Sequence, residues 1–247
     1  MNKLYCLLGF LLMFDVSAQA NPIAVSYEFA SIEYLSEQEL GRIVLPQIYQ
    51  NLGMEITITP LPANRAQYVA SSGKKHGEIM RIQTYGDENP TTLRVPTPYY
   101  YLETMPFVLK GAQIAIRQAQ DLAKYKVVKV RGVKHTNNIT AGLDLVYDVN
   151  NTETMFKLLN SGKIDVALTN TLDGKLALKR LGYKNIIAME TPLAVLPLYH
   201  YIHEKHRALV PVVDEEIKRL KKSGDLQKLI EKAEQKIIEN NGLYLSH

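Results

Sequence analysis

The chain has 247 residues, 46% of them hydrophobic and 22% charged. Those are ordinary globular values and exclude a disordered, collagen-like or coiled-coil chain. A net charge of +4 without a Lys/Arg stripe argues against nucleic acid as a partner, and a single cysteine, Cys6, excludes a disulfide framework or a cysteine-based zinc site.

Lys3 precedes an apolar run, Leu4 to Phe14, and the small-x-small triplet Ala18-Gln19-Ala20 follows. This is the layout of a cleavable signal peptide over residues 1–20. The run falls short of the roughly 20 apolar residues a membrane-spanning helix needs. Cleavage would remove Cys6, and an exported chain without cysteine fits a bacterial periplasm.

Ile23 to Phe29 is β-prone. Glu37 to Leu52 carries apolar residues at helical spacing (Leu40, Ile43, Val44, Ile48, Leu52), with Ser36 as N-cap and Gly53 as stop. Glu55 to Thr59 alternates as a strand, Pro60-Leu61-Pro62 is a rigid connector, Ala63 to Ser71 is a short helix and Glu78 to Ile82 a strand. Pro96 to Tyr101 breaks this alternation, and Met105 to Leu109 is extended. Strands then fall at Val127–Val130, Leu145–Asp148, Val166–Thr169 and Ile186–Met189, with helices near Asn138–Leu143, Thr152–Leu159 and Leu172–Leu181. Leu198 to Ile202 is extended, and two amphipathic helices, Val212–Lys221 and Leu226–Ile238, close the chain. Alternating strands and helices indicate parallel α/β sheets.

An internal similarity organises these elements. Ser72-Gly73-Lys74 follows a helix and precedes a strand ending at Arg81. Ser161-Gly162-Lys163 follows a helix and precedes a strand ending at Asn170, with the same offset from glycine to polar residue. Two similar α/β lobes are expected: residues 21–107 with 197–247, and residues 108–196. The chain crosses between them twice, which makes a hinge with a ligand cleft between the lobes.

Four stretches carry a family resemblance: Leu45-Pro46-Gln47-Ile48-Tyr49-Gln50-Asn51-Leu52-Gly53 with Met54-Glu55-Ile56; Pro96-Thr97-Pro98-Tyr99-Tyr100-Tyr101 with Phe107-Val108-Leu109-Lys110; Leu158 to Ala167; and Leu220 to Leu229. In order and spacing the chain resembles the periplasmic solute-binding proteins of amino-acid ABC transporters, over essentially all of residues 21–240. The resemblance implies the two-lobed type 2 binding-protein fold, no cofactor, a monomer, and an ABC permease or a membrane sensor as partner. Two departures stand out. Asn89 replaces the arginine that grips an α-carboxylate in that family, and Asn170 replaces the aspartate that holds the α-amino group. The chain therefore resembles a divergent branch, and a standard α-amino acid is not the expected solute.

Arg81, at the carboxyl end of a parallel strand where ligands of open α/β sheets bind, is the leading site candidate. Its guanidinium could fork onto a carboxylate or phosphate, or pair with a nearby Glu. Arg65 opposes the dipole of its helix, so it is either an anion-binding group or a solvated side chain. Asn170 mirrors Arg81, as a cleft amide or a helix cap. Thr136 and Asn137, before a helix, would offer N–H groups to an anion or cap that helix. Tyr27 and Glu28 end the first strand at the same mouth, and Tyr85 and Tyr99 to Tyr101 could wall the site. Together these point to a small polar, anionic solute. His200, His203 and His206 have metal-like spacing, but on a strand residues three apart point to opposite faces, and no metal site is expected. No nucleophile elbow, phosphate loop or His-Glu-x-x-His occurs. The alternatives are a periplasmic dehydratase or lyase on the same scaffold, with Glu28 or Glu103 as general acid, and a structural or adhesive protein.

Overall fold

The computed structural model describes residues 26–240. The expected signal peptide and its cleavage site lie outside them. Strand β1 (Ser26–Ile32) leads into α1 (Ser36–Asn51), β2 (Glu55–Leu61), α2 (Ala63–Ser71), β3 (Gly77–Arg81), the one-turn α3 (Tyr85–Glu88) and β4 (Thr92–Arg94). The long β5 (Tyr100–Leu109) follows, then β6 (Val127–Val130), α4 (Lys134–Thr140), β7 (Val146–Val149), α5 (Thr152–Asn160), β8 (Val166–Asn170), α6 (Thr171–Leu181) and β9 (Ile186–Ala188). A second long strand, β10 (Ala194–His203), precedes α7 (Leu209–Ser223) and α8 (Asp225–Glu239).

The strands form two sheets of one design. In the first the order is β2-β1-β3-β10-β4, in the second β7-β6-β8-β5-β9. In each, the first three strands run parallel and the fourth is antiparallel to its neighbours. That fourth strand comes from the other half of the chain. β5 begins against β10 (Tyr100↔Leu198 to Thr104↔Ala194) and finishes between β8 and β9. β10 begins against β5 and finishes between β3 and β4. The fold is therefore a two-lobed α/β architecture with two crossing strands. β3 and β8, the strands after the repeated Ser-Gly-Lys turns, occupy the same place in their sheets.

Local chemistry explains the departures from expectation. β2 runs through Pro60 to Leu61 because β2 is an edge strand, where a missing N–H costs no ladder bond. Leu35, not Ser36, is the N-cap of α1; it makes no side-chain cap bond, and the Ser36 hydroxyl is buried inside the first turn. α4 starts at Lys134, four residues earlier than expected, between Gly132 and Gly142, both at positive φ (81° and 79°).

The first lobe's core gathers Phe29, Leu40, Ile48, Ile79 and Tyr99 from the sheet and α1 with Val213 and Ile237 from α7 and α8. Leu172 and Leu176 of α6 belong to this core too. Helix α6 thus follows a second-lobe strand yet packs an apolar face on α1 and α8. The second lobe has cores around Phe107, Phe156 and Val128, and around Val127, Val166 and Leu168.

Candidate functional site

The crossing strands, the start of α1, the start of α6 and one face of α8 enclose a cavity of about 480 Å³. β5 supplies Tyr100 to Glu103, β10 supplies Val195, and α6 supplies Thr171 and Lys175 behind Asn170. From the first lobe come Glu37 and the α8 residues Gln227, Ile230, Glu231 and Glu234. The volume suits a small solute. Four carboxylates face one ammonium, Lys175, whose Nζ lies 3.7 Å from Glu234. The Tyr100 hydroxyl donates to Glu234 at 3.3 Å, and Thr171 Oγ1 donates to Glu103 at 2.8 Å. Lys221 donates to the Tyr101 hydroxyl at 3.0 Å and lies over its ring, with its Nζ 5.1 Å from the centroid.

Glu37 sits in the first turn of α1 and Asp173 in the first turn of α6. Burial, and then the charge of Asp173, push the Glu37 carboxyl up from its ordinary value to about 7. Burial also raises Asp173. Next along β5, Thr104 Oγ1 bonds His135 Nδ1 at 2.8 Å, and burial lowers His135 to about 4, so it is neutral at physiological pH.

Of the residues singled out by sequence, Tyr100, Tyr101 and Glu103 line this cavity, and so does Asn170. Its amide is engaged locally: Oδ1 accepts from the Asp173 backbone N–H at 2.7 Å and Nδ2 donates to the Asp173 carboxylate at 2.7 Å. Arg81 ends β3 as expected, but its Nε donates to Glu78 at 2.7 Å and its guanidinium lies 4.7 Å from the Tyr85 ring centroid. Glu78 is fully buried, and burial raises its pKa against the opposing pull of Arg81. Arg65 is exposed in the first turn of α2.

Three expectations are corrected. Tyr27 and Glu28 lie at the amino end of β1, opposite the carboxyl-end mouth, because the strand begins at Ser26. Tyr27 packs on Phe29, His76 and His206, and Glu28 pairs with Lys75 at 3.0 Å. Tyr99 walls no site: it is fully buried and donates to the Ile79 carbonyl at 2.7 Å. Thr136 and Asn137 lie inside α4, not before it; Asn137 N–H is bonded to Val133 and its side-chain oxygen accepts from Lys129 at 2.5 Å. His200 is buried between the Tyr49 hydroxyl (2.9 Å) and the Glu78 carbonyl (3.0 Å), away from any triad with His203 and His206. The described residues hold no group of three metal-ligating side chains. Among them no helix is long and apolar enough to cross a membrane.

Sequence reasoning missed Glu37, Lys175, Glu231 and Glu234. A signal existed for α8, where Gln227, Ile230, Glu231 and Glu234 recur at helical spacing beside its apolar seam. Glu37 carried none, since an acid in a first turn reads as a partner of the helix dipole.

No family model matches the chain. An uncharacterized protein of Shewanella oneidensis is 26% identical over 239 residues, spanning 86% of this chain and 88% of that one. Among solved structures, the second substrate-binding domain of a putative amino-acid ABC transporter from Streptococcus pneumoniae matches with a TM-score of 0.63, 17% identity, 84% of this chain and 99% of that one. A putative binding component of an ABC transporter from Wolinella succinogenes, complexed with lysine, matches with a TM-score of 0.61, 14% identity, 84% of this chain and 94% of that one. The chain has the type 2 fold of the periplasmic solute-binding proteins.

Proposed function

We propose that this protein is a non-catalytic solute-binding protein that captures a small polar solute between its lobes in the periplasm and presents it, closed, to an ABC permease or a membrane sensor. The observation that carries the reading is the cavity of about 480 Å³ lined from both lobes and from the crossing strands. Solved neighbours of the same fold that hold amino acids support a solute of that size.

The anionic solute expected from Arg81 is weakened, because Arg81 Nε is already bonded to Glu78. Glu103, Glu231 and Glu234 against Lys175, with Glu37 partly ionised at neutral pH, favour a solute carrying an ammonium or guanidinium group, with Tyr100 and Tyr101 as aromatic faces.

Mass spectrometry of small molecules released from natively purified protein tests capture. Thermal shift with basic amino acids, diamines and dicarboxylates tests the charge. A cationic solute at about a hundred times its Kd should stabilise the fold by about 2.7 kcal/mol. Glu231→Lys should abolish that shift. Stabilisation by dicarboxylates and not by cations would overturn the charge assignment; no released molecule and no shift with any solute would overturn capture.

A further inference from the structure

We propose that the cavity takes an amine with two cationic groups and no carboxylate, a diamine or a guanidino-amine, and rejects the corresponding basic amino acids. This rests on the cationic-solute reading above and narrows it. Two of the lining carboxylates have no cationic partner among the described residues, and they come from different elements. Glu103 of β5 accepts from Thr171 Oγ1 at 2.8 Å, and Glu231 of α8 accepts from Gln227 Nε2 at 2.9 Å. Each keeps open lone pairs beside a volume of solute size. Leu102, Val195 and Ile230 add apolar wall to the same volume. Carboxylates from two elements with an apolar wall suit a cation at either end of a methylene chain.

A carboxylate on the solute finds no free cation there. Lys175 is the one basic residue of the described lining, and its Nζ lies 3.7 Å from Glu234. Bases close by are committed elsewhere. Lys179 of α6 donates to the Ile238 and Glu239 carbonyls that end α8, at 2.6 and 3.0 Å. Arg42 of α1 is held by Glu39, Ser31 Oγ and the Ile32 carbonyl. Lys221 of α7 is spent on the Tyr101 hydroxyl, and the lysines of α8 lie outside the lining.

The two helix starts at the cavity, whose dipoles would favour an anion, carry acids of their own in the first turn: Glu37 and Glu39 on α1, Asp173 on α6. The backbone N–H of Asp173 is already taken by Asn170 Oδ1 at 2.7 Å. A solute carboxylate would therefore face Glu103, Glu231 and Glu234 with Lys175 alone to offset them. Like charges brought together in a binding site cost affinity, so the same lining that holds an amine selects against its carboxylated form.

Isothermal titration of the dialysed full chain at neutral pH compares solutes that differ by one group: agmatine with arginine, cadaverine with lysine, pentylamine with cadaverine, and argininamide, in which the carboxylate is neutralised. Agmatine and cadaverine should bind at least about tenfold more tightly than arginine and lysine, and argininamide should side with agmatine. Pentylamine should fall about ten- to a hundredfold below cadaverine, the loss expected for one charge-assisted contact. Glu103→Gln and Glu231→Gln should each weaken cadaverine by a similar factor. If thermal melting shows that one of these variants does not fold, the other decides. Arginine or lysine binding as tightly as its decarboxylated partner overturns the exclusion of a carboxylate and leaves capture of a cationic solute standing. Pentylamine matching cadaverine, or folded glutamine variants that bind cadaverine like the wild type, overturns the two-pole site. Binding of none of these solutes overturns the cationic reading and this proposal with it.

Discussion

Arg81 shows how a residue at a ligand-facing strand end becomes part of the scaffold. Its partner Glu78 is three residues earlier on β3, fully buried, and has one carboxylate oxygen without a hydrogen bond among the described residues. The arginine above it is the charge that makes that burial tolerable. Arg81→Ala should therefore destabilise the protein by about 3–5 kcal/mol, the penalty for an unpaired buried charge. Adding Glu78→Gln should recover much of the loss, and chemical denaturation of the single and double variants measures both. A folded Arg81→Ala protein of wild-type stability would free Arg81 for a ligand role. Strand position was legible for Arg81 and Asn170, since glycine offsets alone put both at equivalent strand ends. Side-chain commitment was not legible, because the competing partner of each is a near neighbour in sequence: Glu78 for one and Asp173 for the other. Tyr34 left no signal at all; it is the one described non-glycine residue at positive φ (61°), exposed between β1 and α1.

At the scale of elements, the sequence located every α-helix longer than one turn, α4 four residues late, and most strands, because their apolar spacing is decided by the core they face. It failed where tertiary contact overrides local pattern. β5 and β10 are each ten residues long, but Pro96 to Tyr101 and Pro197 read as breaks. Pairing with each other carries β5 through Tyr100 and Tyr101 and β10 through Pro197. Helix α6 hides a close approach of the same kind. A Cβ on Gly174 would overlap the Phe107 ring of β5, itself packed edge-on against Phe156 at 5.3 Å. Gly174→Ala should gain up to about 1 kcal/mol in helix propensity and lose about 1–3 kcal/mol to overpacking, a net loss in melting temperature. Phe107→Leu in the same chain should reverse part of it. A stabilised Gly174→Ala protein would show that α6 can slide on β5, which the buried contact on both its faces opposes. Gly77 is stricter. Its φ is 150° and a Cβ there would run into the Tyr201 backbone carbonyl, so alanine should cost more than at Gly174.

At the scale of the whole molecule, the two sheets share one strand order, and each completes itself with a strand that starts in the other. The expected lobe boundaries at residues 107 and 197 fall inside β5 and β10, so the sheets cannot be separated by cutting there. Sequence showed the duplication through its turns but not this exchange, because a crossing strand looks like any other apolar run. The exchange has a consequence for folding. β5 supplies the hydrogen bonds of β8 over Thr104 to Phe107 and of β9 over Phe107 to Leu109, and Met105, Phe107 and Val108 fill the second lobe's cores. A fragment of residues 104–193 keeps all of this and is of a size that can fold alone. A fragment of residues 110–193 leaves β8 and β9 facing an empty lane of unpaired N–H and C=O groups and opens both cores. The first should melt cooperatively with far-ultraviolet dichroism of mixed α/β structure, and the second should not. Leu172 and Leu176 lose their cover in both fragments, so Leu176→Lys should be included in each to suppress self-association. If the shorter fragment folds as well as the longer, β5 is a tether and not a member of the second sheet; if neither folds, the lobe depends on the α6 contact with α1 and α8, and the two lobes are one cooperative unit.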